Sequence, residues 1–424
     1  MKLGYGKDEI IFDPPAKRLK GVLTPNAVET RLTGVAEVKR AMENPIASPR
    51  LKDKVKAGMK VSIVTSDITR PMPSKTVLPL VLEELNSAGV PDRDIVIIFG
   101  LGSHRRHTEA EMKYIVGEDV FGRIECVDSD ETRCVRLGVT AAGTPVDIFD
   151  RVVNADFRIC LGNIEYHYFA GYSGGAKAVM PGVSTSAAIR CNHSMMVNPE
   201  ARAGNIDSPV RRDIEEAVSF LGVDYILNVV LDEHKNIIFA AVGDCKSAHR
   251  AGCDFLDGLY KVSIDGRADI VVVSAGGYPK DQNMYQAQKA LDNAKHAVKD
   301  GGVIIWLAEC REGFGSAAFE KWMKEKSPEQ MIADIKSNFV LGGHKAAAVA
   351  QVLERADIYL VSDLDRDTVK QIKLVPFESL EKAFGAATQK TGADSTVYVM
   401  PYGGSTLPIC SADAAGRRNI ILSP

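Results

Sequence analysis

The 424-residue chain lacks the features that mark several large classes of protein. No apolar run approaches the roughly 18 residues that a transmembrane helix needs. The formal net charge of −3 provides no basic surface for nucleic acid or for an anionic membrane. The eight cysteines form no Cys-x-x-Cys pair, so zinc-ribbon and thioredoxin motifs have no support. We therefore expect neither nucleic acid nor a membrane among its partners.

The N-terminus also lacks a targeting signal. Residues 1–9 (MKLGYGKDE) are polar and contain no apolar core of the signal-peptide kind. We expect a cytoplasmic protein whose cysteines are reduced and act as small apolar side chains.

Two nucleotide-binding motifs are missing as well. No Gly-x-Gly-x-x-Gly follows a predicted strand, which disfavours a nicotinamide-binding site of the usual kind. Residues 171–178 (GYSGGAKA) come close to a phosphate-binding P-loop but carry Ala176 and Ala178 where that motif needs Gly and Ser or Thr. Mg-nucleotide chemistry is therefore disfavoured, although backbone amides in such a bend can still cradle a phosphate.

The pattern of apolar runs predicts an α/β protein of two domains, each with a mostly parallel sheet covered by helices. In the first domain strands are predicted at 61–66, 94–99 and 156–161, a helix at 75–89, and an antiparallel hairpin at 226–231 and 237–241. In the second, strands are predicted at 269–274, 303–308, 358–362 and 396–400, with helices at 282–299, 317–325, 344–355 and 377–388. We place the domains at 1–264 and 265–424, joined by a linker at 262–267.

Chemically active side chains follow the predicted strands of both domains. Ligands of open α/β sheets bind beyond the carboxyl ends of strands, so we expect one active site in the cleft between the domains. The candidates of this kind are Asp67, Arg70, His104, His107, His167, Tyr278, Gln282, Gln286 and Lys289.

Each candidate also has a plainer interpretation. Asp67 can cap a turn beside a solvated Arg70 instead of binding a ligand. Thr108 and Glu111 form a helix-capping box, so His107 is better read as structural than His104, which lies nearer the strand end. Gln282, Gln286 and Lys289 share one helical face, which suits an anion but also suits solvent.

The most informative stretch is 163–182 (NIEYHYFAGYSGGAKAVMPG). It places His167 ten residues before Lys177, with a glycine-rich bend between them, and His193 follows sixteen residues after that lysine. Glycine lets a backbone adopt positive φ and approach a ligand closely. This combination indicates a functional site.

These motifs together resemble the nickel-dependent lactate racemase family. The shared segments are 66–71 (SDITRP), 102–105 (GSHR), 165–177 (EYHYFAGYSGGAK), 192–194 (NHS) and 276–289 (GGYPKDQNMYQAQK). They occur in the family's order, spread over most of the chain, and keep its His-to-Lys and Lys-to-His intervals.

The resemblance implies a nickel-pincer nucleotide, a pyridinium mononucleotide with a thioamide and a thiocarboxylate, made by separate cofactor-biosynthesis proteins. Lys177 would be joined covalently to the thioamide, and His193 would be the protein's ligand to nickel, whose planar site the cofactor completes. The ribose and phosphate of the cofactor would be held by Asp67, Ser173, Gly174 and Gly175.

The resemblance further implies a racemase or epimerase of 2-hydroxy acids. His104 and His167 would act as acid and base on opposite faces of the substrate, while the Cα hydride moves reversibly to the tethered cofactor. Substrate-binding groups would be Arg70, Tyr285, Gln286 and Lys289.

One position departs from the family pattern. His344 stands where we align the family's tryptophan, within residues 341–345 (LGGHK). An imidazole in the substrate site would favour a larger or more polar acid than lactate, such as a malate-like diacid or an aldonate. Alternatively, His344 lies on the surface of a reshaped lid.

Two other functions stay open at this point. One is a dehydrogenase of the NAD type, suggested by the two α/β domains. The other is a protein that binds nickel or the cofactor without catalysis, which the pair of histidines at 104 and 167 disfavours. The oligomeric state has no signal in the sequence.

Overall fold

The computed structural model describes residues 1–232 and 234–410, and these fall into two compact units. We call Val28–Asp257 the central unit, and Met1–Ala27 together with the chain from Gly258 onward the flanking unit. The predicted second domain runs to residue 424, so its part from 411 lies outside the described residues. So does Glu233, in the turn of the predicted hairpin.

The elements are numbered in chain order. The strands are β1 Lys2–Tyr5, β2 Asp8–Ile11, β3 Leu19–Val22, β4 Val61–Ser66, β5 Ile95–Gly100, β6 Glu125–Asp128, β7 Cys134–Val139, β8 Pro145–Phe149, β9 Phe157–Asn163, β10 Tyr166–His167, β11 Gly171–Tyr172, β12 Tyr225–Leu231, β13 Ile237–Gly243, β14 Lys261–Ile264, β15 Ala268–Ser274, β16 Val298–Leu307, β17 Asp357–Val361, β18 Val375–Phe377, β19 Val397–Met400 and β20 Leu407–Cys410. The helices are α1 Gly34–Glu43, α2 Leu51–Lys54, α3 Ser74–Ser87, α4 Glu109–Val116, α5 Glu118–Arg123, α6 Asp150–Val153, α7 Ser186–Ser194, α8 Pro209–Ser219, α9 Cys245–Tyr260, α10 Met284–Ala294, α11 Ala317–Glu325, α12 Pro328–Ser337, α13 Gly343–Leu353, α14 Arg366–Gln371 and α15 Leu380–Thr391.

The central unit is built on a six-stranded sheet of order β13-β12-β9-β4-β5-β6. Its pairs are parallel except for the β12–β13 hairpin, which is antiparallel as the sequence predicts. The apolar runs of β4 and β5 are buried along nearly their whole length, because helices and loops cover both faces. The side chains of β4, β5 and α3 share one core, which includes Ile63, Leu78 and Phe99.

The flanking unit contains a second six-stranded sheet, of order β18-β17-β16-β15-β19-β3. All five of its strand pairs are parallel. Val272, Ile305 and Leu380 belong to its core, which α15 covers on one face. The predicted fold class, two mostly parallel sheets covered by helices, is therefore confirmed.

The division of the chain differs from the predicted one at its N-terminus. The first residues do not join the unit that follows them, because β3 pairs in parallel with β19 and Leu3 is buried in the flanking core. The predicted linker at 262–267 overlaps β14, which pairs with β20. The strands that the sequence did not reveal here, β3 and β14, have only four residues each, which is too few for an apolar pattern to be recognised.

Among the described residues, the helices are all too short or too polar to cross a lipid bilayer. The capping box predicted before α4 is present: the Thr108 hydroxyl accepts from Glu111 N, and the Glu111 carboxylate accepts from Thr108 N at 2.8 Å. This cap fixes the end of the loop that carries His104.

The N-terminal segment provides a stability test. Leu3→Ala should destabilise the flanking unit by about 2–5 kcal/mol, because it removes a fully buried side chain from that core. Leu78→Ala is the matched change in the central core. Hydrogen–deuterium exchange should show faster exchange for Leu3→Ala in β15, β16 and β19. Faster exchange confined to the central sheet would contradict this assignment.

Candidate active site in the central unit

Three neighbouring strands of the central sheet bring the first-domain candidates to one edge. Asp67 and Arg70 follow β4, His104 follows β5, and His167 follows β9. These strands are adjacent in the order β9-β4-β5, and parallel strands end at the same edge of a sheet. The fold therefore places the two predicted acid–base histidines on either side of the Asp67–Arg70 loop.

His104 forms a pair with Asp67. Its Nδ1 lies 3.2 Å from Asp67 Oδ2 and 3.4 Å from the Thr69 hydroxyl. Burial raises the pKa of Asp67, but hydrogen bonds from His104 and Thr69 outweigh that effect and bring the pKa to about 2. A carboxylate at Nδ1 holds the proton of a neutral imidazole on Nδ1, so the lone pair is on Nε2. This is the arrangement of a general base.

His107 has a structural role, as its sequence context indicates. Its Nε2 accepts a hydrogen bond from Ile68 N at 3.0 Å, and its Nδ1 lies 2.6 Å from Asp128 Oδ1. The side chain is only 1% exposed. His107 thus ties the Asp67–Arg70 loop to the end of β6.

His167 occupies a different environment from His104. It is the last residue of β10, which forms a hairpin with β11, and each of these strands has two residues. The residue is half-buried, and its Nδ1 accepts a hydrogen bond from Ala170 N at 3.3 Å. Burial lowers the pKa of His167 well below its usual value, and the nearby Arg70 guanidinium lowers it further. The imidazole is therefore neutral at pH 7, with its proton on Nε2.

Lys177 lies in a helical turn, Gly175–Ala178, that follows the glycine bend. Burial lowers the pKa of Lys177 well below its usual value, and the positive charges of Arg211 and Arg70 add to that effect. A neutral amine is the nucleophilic form of lysine. Both effects favour the neutral, nucleophilic form of this lysine over the charged form that would bind an anion.

His193 lies in the last turn of α7 and points back toward the same region. The ring of Phe169 packs between two imidazoles, with its centroid 4.4 Å from that of His167 and 4.9 Å from that of His193. His193 Nδ1 lies 2.9 Å from Asn192 Oδ1. The structure therefore brings His167 and His193 together around Phe169, and Lys177 lies within electrostatic range of His167.

Two of the three residues expected to cradle a phosphate, Ser173 and Gly175, use their backbone N–H groups within the protein. Ser173 N donates to Glu165 O at 2.9 Å, and the Ser173 hydroxyl donates to Asn163 O at 2.7 Å. Gly175 N donates to Asn228 Oδ1 at 2.7 Å. These donors are used within the protein, so the bend orients Lys177 instead of binding phosphate through them.

The need for glycine in the bend comes from protein packing. Gly174 and Gly175 have φ of 75° and 59°, in the left-handed region. A Cβ on Gly174 would lie 2.7 Å from Asn228 Oδ1, and one on Gly175 would lie 2.8 Å from the His249 ring. The bend therefore packs against Asn228 and His249 as closely as a backbone can.

Sequence reasoning missed Arg211, which holds this loop from within. Its buried guanidinium donates to the carbonyl oxygens of Ala170, Tyr172 and Gly174. Burial lowers the pKa of Arg211 to about 10, so the side chain stays charged at neutral pH. In the sequence Arg211 stands on an amphipathic helix, where an arginine normally faces solvent, so nothing there marks it as buried.

The flanking unit has its own cluster of predicted substrate groups. Tyr285, Gln286 and Lys289 lie in the first turns of α10, and the Lys345 ammonium stands 4.1 Å from the centre of the Tyr285 ring. His344 lies in the first turn of α13, with its ring centroid 6.4 Å from that of Tyr285. The structure thus groups these residues within one unit.

His344 is not a surface residue, so the alternative that it lies on the surface of a reshaped lid is wrong. It is only 6% exposed, and Gly342 N donates to its Nδ1 at 3.0 Å. Burial and the charge of Lys345 lower the pKa of His344 to about 3, so its imidazole is neutral.

Comparison with known proteins identifies the family. The N-terminal domain model of lactate racemase matches residues 5–204, and the C-terminal domain model matches residues 264–407. The lactate racemase of Thermoanaerobacterium thermosaccharolyticum is 36% identical over 96% of this chain and 98% of its own length. That of Lactiplantibacillus plantarum is 33% identical over 95% and 97%.

Solved structures agree with these matches. The lactate racemase apoprotein from T. thermosaccharolyticum superimposes with a TM-score of 0.86 and 36% identity, covering 96% of this chain and 99% of that one. A Thermotoga maritima protein shares the fold at a TM-score of 0.62 and 18% identity, with coverage of 90% and 100%. The chain therefore belongs to the lactate racemase family, and it is an isomerase of the racemase type.

Proposed function

We propose that the protein interconverts the stereoisomers of a 2-hydroxy acid by reversible hydride transfer at Cα. The observation that supports this most is the placement of two unlike histidines, His104 and His167, on either side of one arginine-bearing loop. A reaction that runs in both stereochemical directions needs a proton-transfer group on each face of the substrate. The relatives named lactate racemase support the same reaction class.

The two histidines are set for complementary tasks. His104 has its Nδ1 at a carboxylate, so its Nε2 is the site that takes the substrate hydroxyl proton in one direction. His167 uses its Nε2 on the other face, where as an imidazolium it gives one proton to the alkoxide and is left neutral, and its lowered pKa favours release of that proton. In the reverse direction His167 starts neutral and takes the hydroxyl proton, while His104 starts as the imidazolium and gives one proton back.

Asp67 acts in this proposal on His104, not on a ribose. Its carboxylate accepts from Thr69 N at 2.8 Å and faces His104 Nδ1, so its oxygens have partners within the protein. Arg70, on the same loop, would bind the substrate carboxylate. We propose Gln286 and Lys289 of the flanking unit as further carboxylate-binding groups, with Tyr285 beside them.

The residues present fit the nickel-pincer nucleotide. Among residues 1–232 and 234–410, no three His, Cys, Asp or Glu side chains are grouped to hold a metal ion. A metal at His193 would therefore need donors from a bound cofactor, and the lowered pKa of Lys177 suits covalent attachment of one. When bound, this cofactor supplies the acceptor that takes up and returns the Cα hydride.

The substrate is a small 2-hydroxy acid, lactate or a more polar one. The buried His344 stands beside Tyr285 and offers a polar imidazole where the family pattern has an indole. This supports a malate-like acid or an aldonate as alternatives to lactate. Cofactor-biosynthesis proteins are needed as partners, because they make the cofactor. We propose that the protein acts in the cytoplasm.

Two rival functions make different predictions. A dehydrogenase would oxidise a 2-hydroxy acid in proportion to added NAD, with no change of configuration in the residual substrate. A carrier of nickel or of the cofactor would bind its cargo but leave the configuration of every acid unchanged. The paired Asp67 and His104 have no role in a carrier.

The function is tested with a single enantiomer deuterated at Cα. Because the hydrogen leaves and returns as hydride within the site, the opposite enantiomer should form with the deuterium retained. Chiral chromatography with mass detection measures both quantities, and the matched control is unlabelled substrate in D₂O, which should gain no deuterium. Exchange with solvent would instead indicate a carbanion and would contradict hydride transfer.

Asp67→Asn should slow the reaction about 10²- to 10⁴-fold, because an amide at Nδ1 allows the tautomer of His104 that is not basic at Nε2. Since enantiomers have equal free energy, kcat/KM should fall equally in both directions. Asp128→Asn is the matched control, as it alters the same kind of pair at the buried His107. It should lower the thermal midpoint more than the rate; equal rate losses in both variants would show that the carboxylates act only through folding.

Lys177 of the cofactor-free protein should react with cyanate more readily than exposed lysines at neutral pH, because its lowered pKa leaves a larger share of the amine neutral there. Peptide mass spectrometry after brief labelling should show that carbamylation of Lys177 declines less steeply from pH 9 to pH 7 than that of exposed lysines. Arg70→Met removes one nearby cation and should reduce the labelling of Lys177 at pH 7. Labelling that declines with pH like that of surface lysines would refute an activated amine.

A further inference from the structure

A chain of buried polar groups runs from His193 to the helix α8. Asn192 Oδ1 lies 2.9 Å from His193 Nδ1, and Asn192 Nδ2 donates to Asp213 Oδ2 at 2.7 Å. The same Nδ2 donates to Val210 O at 3.1 Å. Asn192 is fully buried and Asp213 is 3% exposed, so water does not compete for these bonds.

The partners of Asn192 determine which way its amide points. A carboxylate and a backbone carbonyl can only accept, so the side-chain nitrogen of Asn192 must face Asp213 and Val210. Its oxygen is then left toward His193, and an amide oxygen can only accept. His193 must therefore carry its proton on Nδ1, which puts the lone pair on Nε2.

Asp213 is itself held by groups from the turn between β7 and β8. The Thr140 hydroxyl donates to Asp213 Oδ1 at 2.5 Å, and the Thr144 hydroxyl donates to Oδ2 at 2.7 Å. In the described parts of the chain the carboxylate has no cationic partner. Three donors thus hold a buried carboxylate that contributes little to stability by itself, since its removal from water is unfavourable.

We propose that Asp213 is a positioning residue that, through Asn192, fixes the tautomer and direction of the His193 ring as a ligand to nickel. The inference rests on the proposed function, because it takes His193 as that ligand. Metal-binding histidines commonly donate their second ring N–H to an acceptor that sets their tautomer. Here the acceptor is the side-chain amide of Asn192, and the buried carboxylate of Asp213 fixes the orientation of that amide.

The arrangement also explains why a charged residue is buried at this position. An uncharged acceptor would hold the Asn192 nitrogen less firmly, since hydrogen bonds to charged groups are roughly twice as strong as neutral ones. If the amide turned over, its N–H₂ would face His193 and favour a proton on Nε2. The ring would then present N–H, not a lone pair, to the metal.

The first test measures the tautomer without any cofactor. In protein labelled with ¹⁵N-histidine, NMR of wild type should show His193 wholly protonated at Nδ1, with the signal assigned through His193→Gln. Asp213→Ala should give a mixture of tautomers, whereas Asp213→Asn, which keeps an acceptor oxygen, should restore most of the wild-type state. Asp269→Ala is the matched control, because Asp269 also accepts from a threonine but lies in the flanking unit.

The second test measures nickel in the cofactor-loaded protein. Loss of nickel to a chelator should be roughly 10- to 100-fold faster for Asp213→Ala than for wild type or Asp269→Ala. If Asp213→Ala fails to fold, the near-isosteric Asp213→Leu removes the same acceptor oxygens without opening a cavity. An unchanged tautomer and unchanged nickel loss in a folded variant would overturn the inference.

The two tests separate this inference from the proposed function. If Asp213→Ala changes the tautomer but His193→Ala still retains nickel, the positioning is upheld and the assignment of His193 as ligand fails. If His193→Ala loses nickel while Asp213→Ala keeps a single tautomer, the ligand assignment is upheld and the role of Asp213 is refuted.

Discussion

The buried guanidinium of Arg211 is the interaction on which the candidate site depends most. It binds three carbonyl oxygens of the loop that joins His167 to Lys177, so it holds the conformation of the segment between these two residues. Its charge, kept inside the protein, also lowers the pKa of Lys177. A single buried cation thus holds the shape of the loop and adds to the effect of burial on the pKa of its lysine, and both would change if the charge were lost.

Helix α8 extends this control to the second proposed attachment point. Two residues after Arg211 it carries Asp213, whose carboxylate orients Asn192 and through it His193. The same helix therefore bonds to the segments that carry Lys177 and His193. A rigid helix that holds both segments suits a cofactor bound at the two proposed attachment points. Misplacement of reacting groups by about 1 Å can cost two orders of magnitude in rate.

Much of this could be predicted from the sequence, and the exceptions have physical causes. The long apolar strands were predicted to within about two residues at most ends, since burial on both faces leaves an unbroken apolar run. The N-terminal strand β3 was not, because four residues with a distant partner leave no local pattern. His104, His167, Lys177 and His193 could be named as candidates because they stand in recognisable sequence motifs. Arg211 and Asp213 were missed because charged residues on a helix normally face solvent, and only the tertiary structure shows that they are buried.

The glycine bend shows a different limit of sequence reasoning. Its glycines indicated close approach of a backbone to something, and the structure identifies that partner as Asn228 and His249 of the protein itself.

The central claim is that the bend presents Lys177 to a cofactor, and peptide mass spectrometry of protein co-produced with the cofactor-biosynthesis proteins tests it most directly. The account predicts a covalent adduct on the peptide that contains Lys177 and no adduct in Lys177→Ala. An adduct on another residue, or a racemase fully active without any adduct, would contradict it.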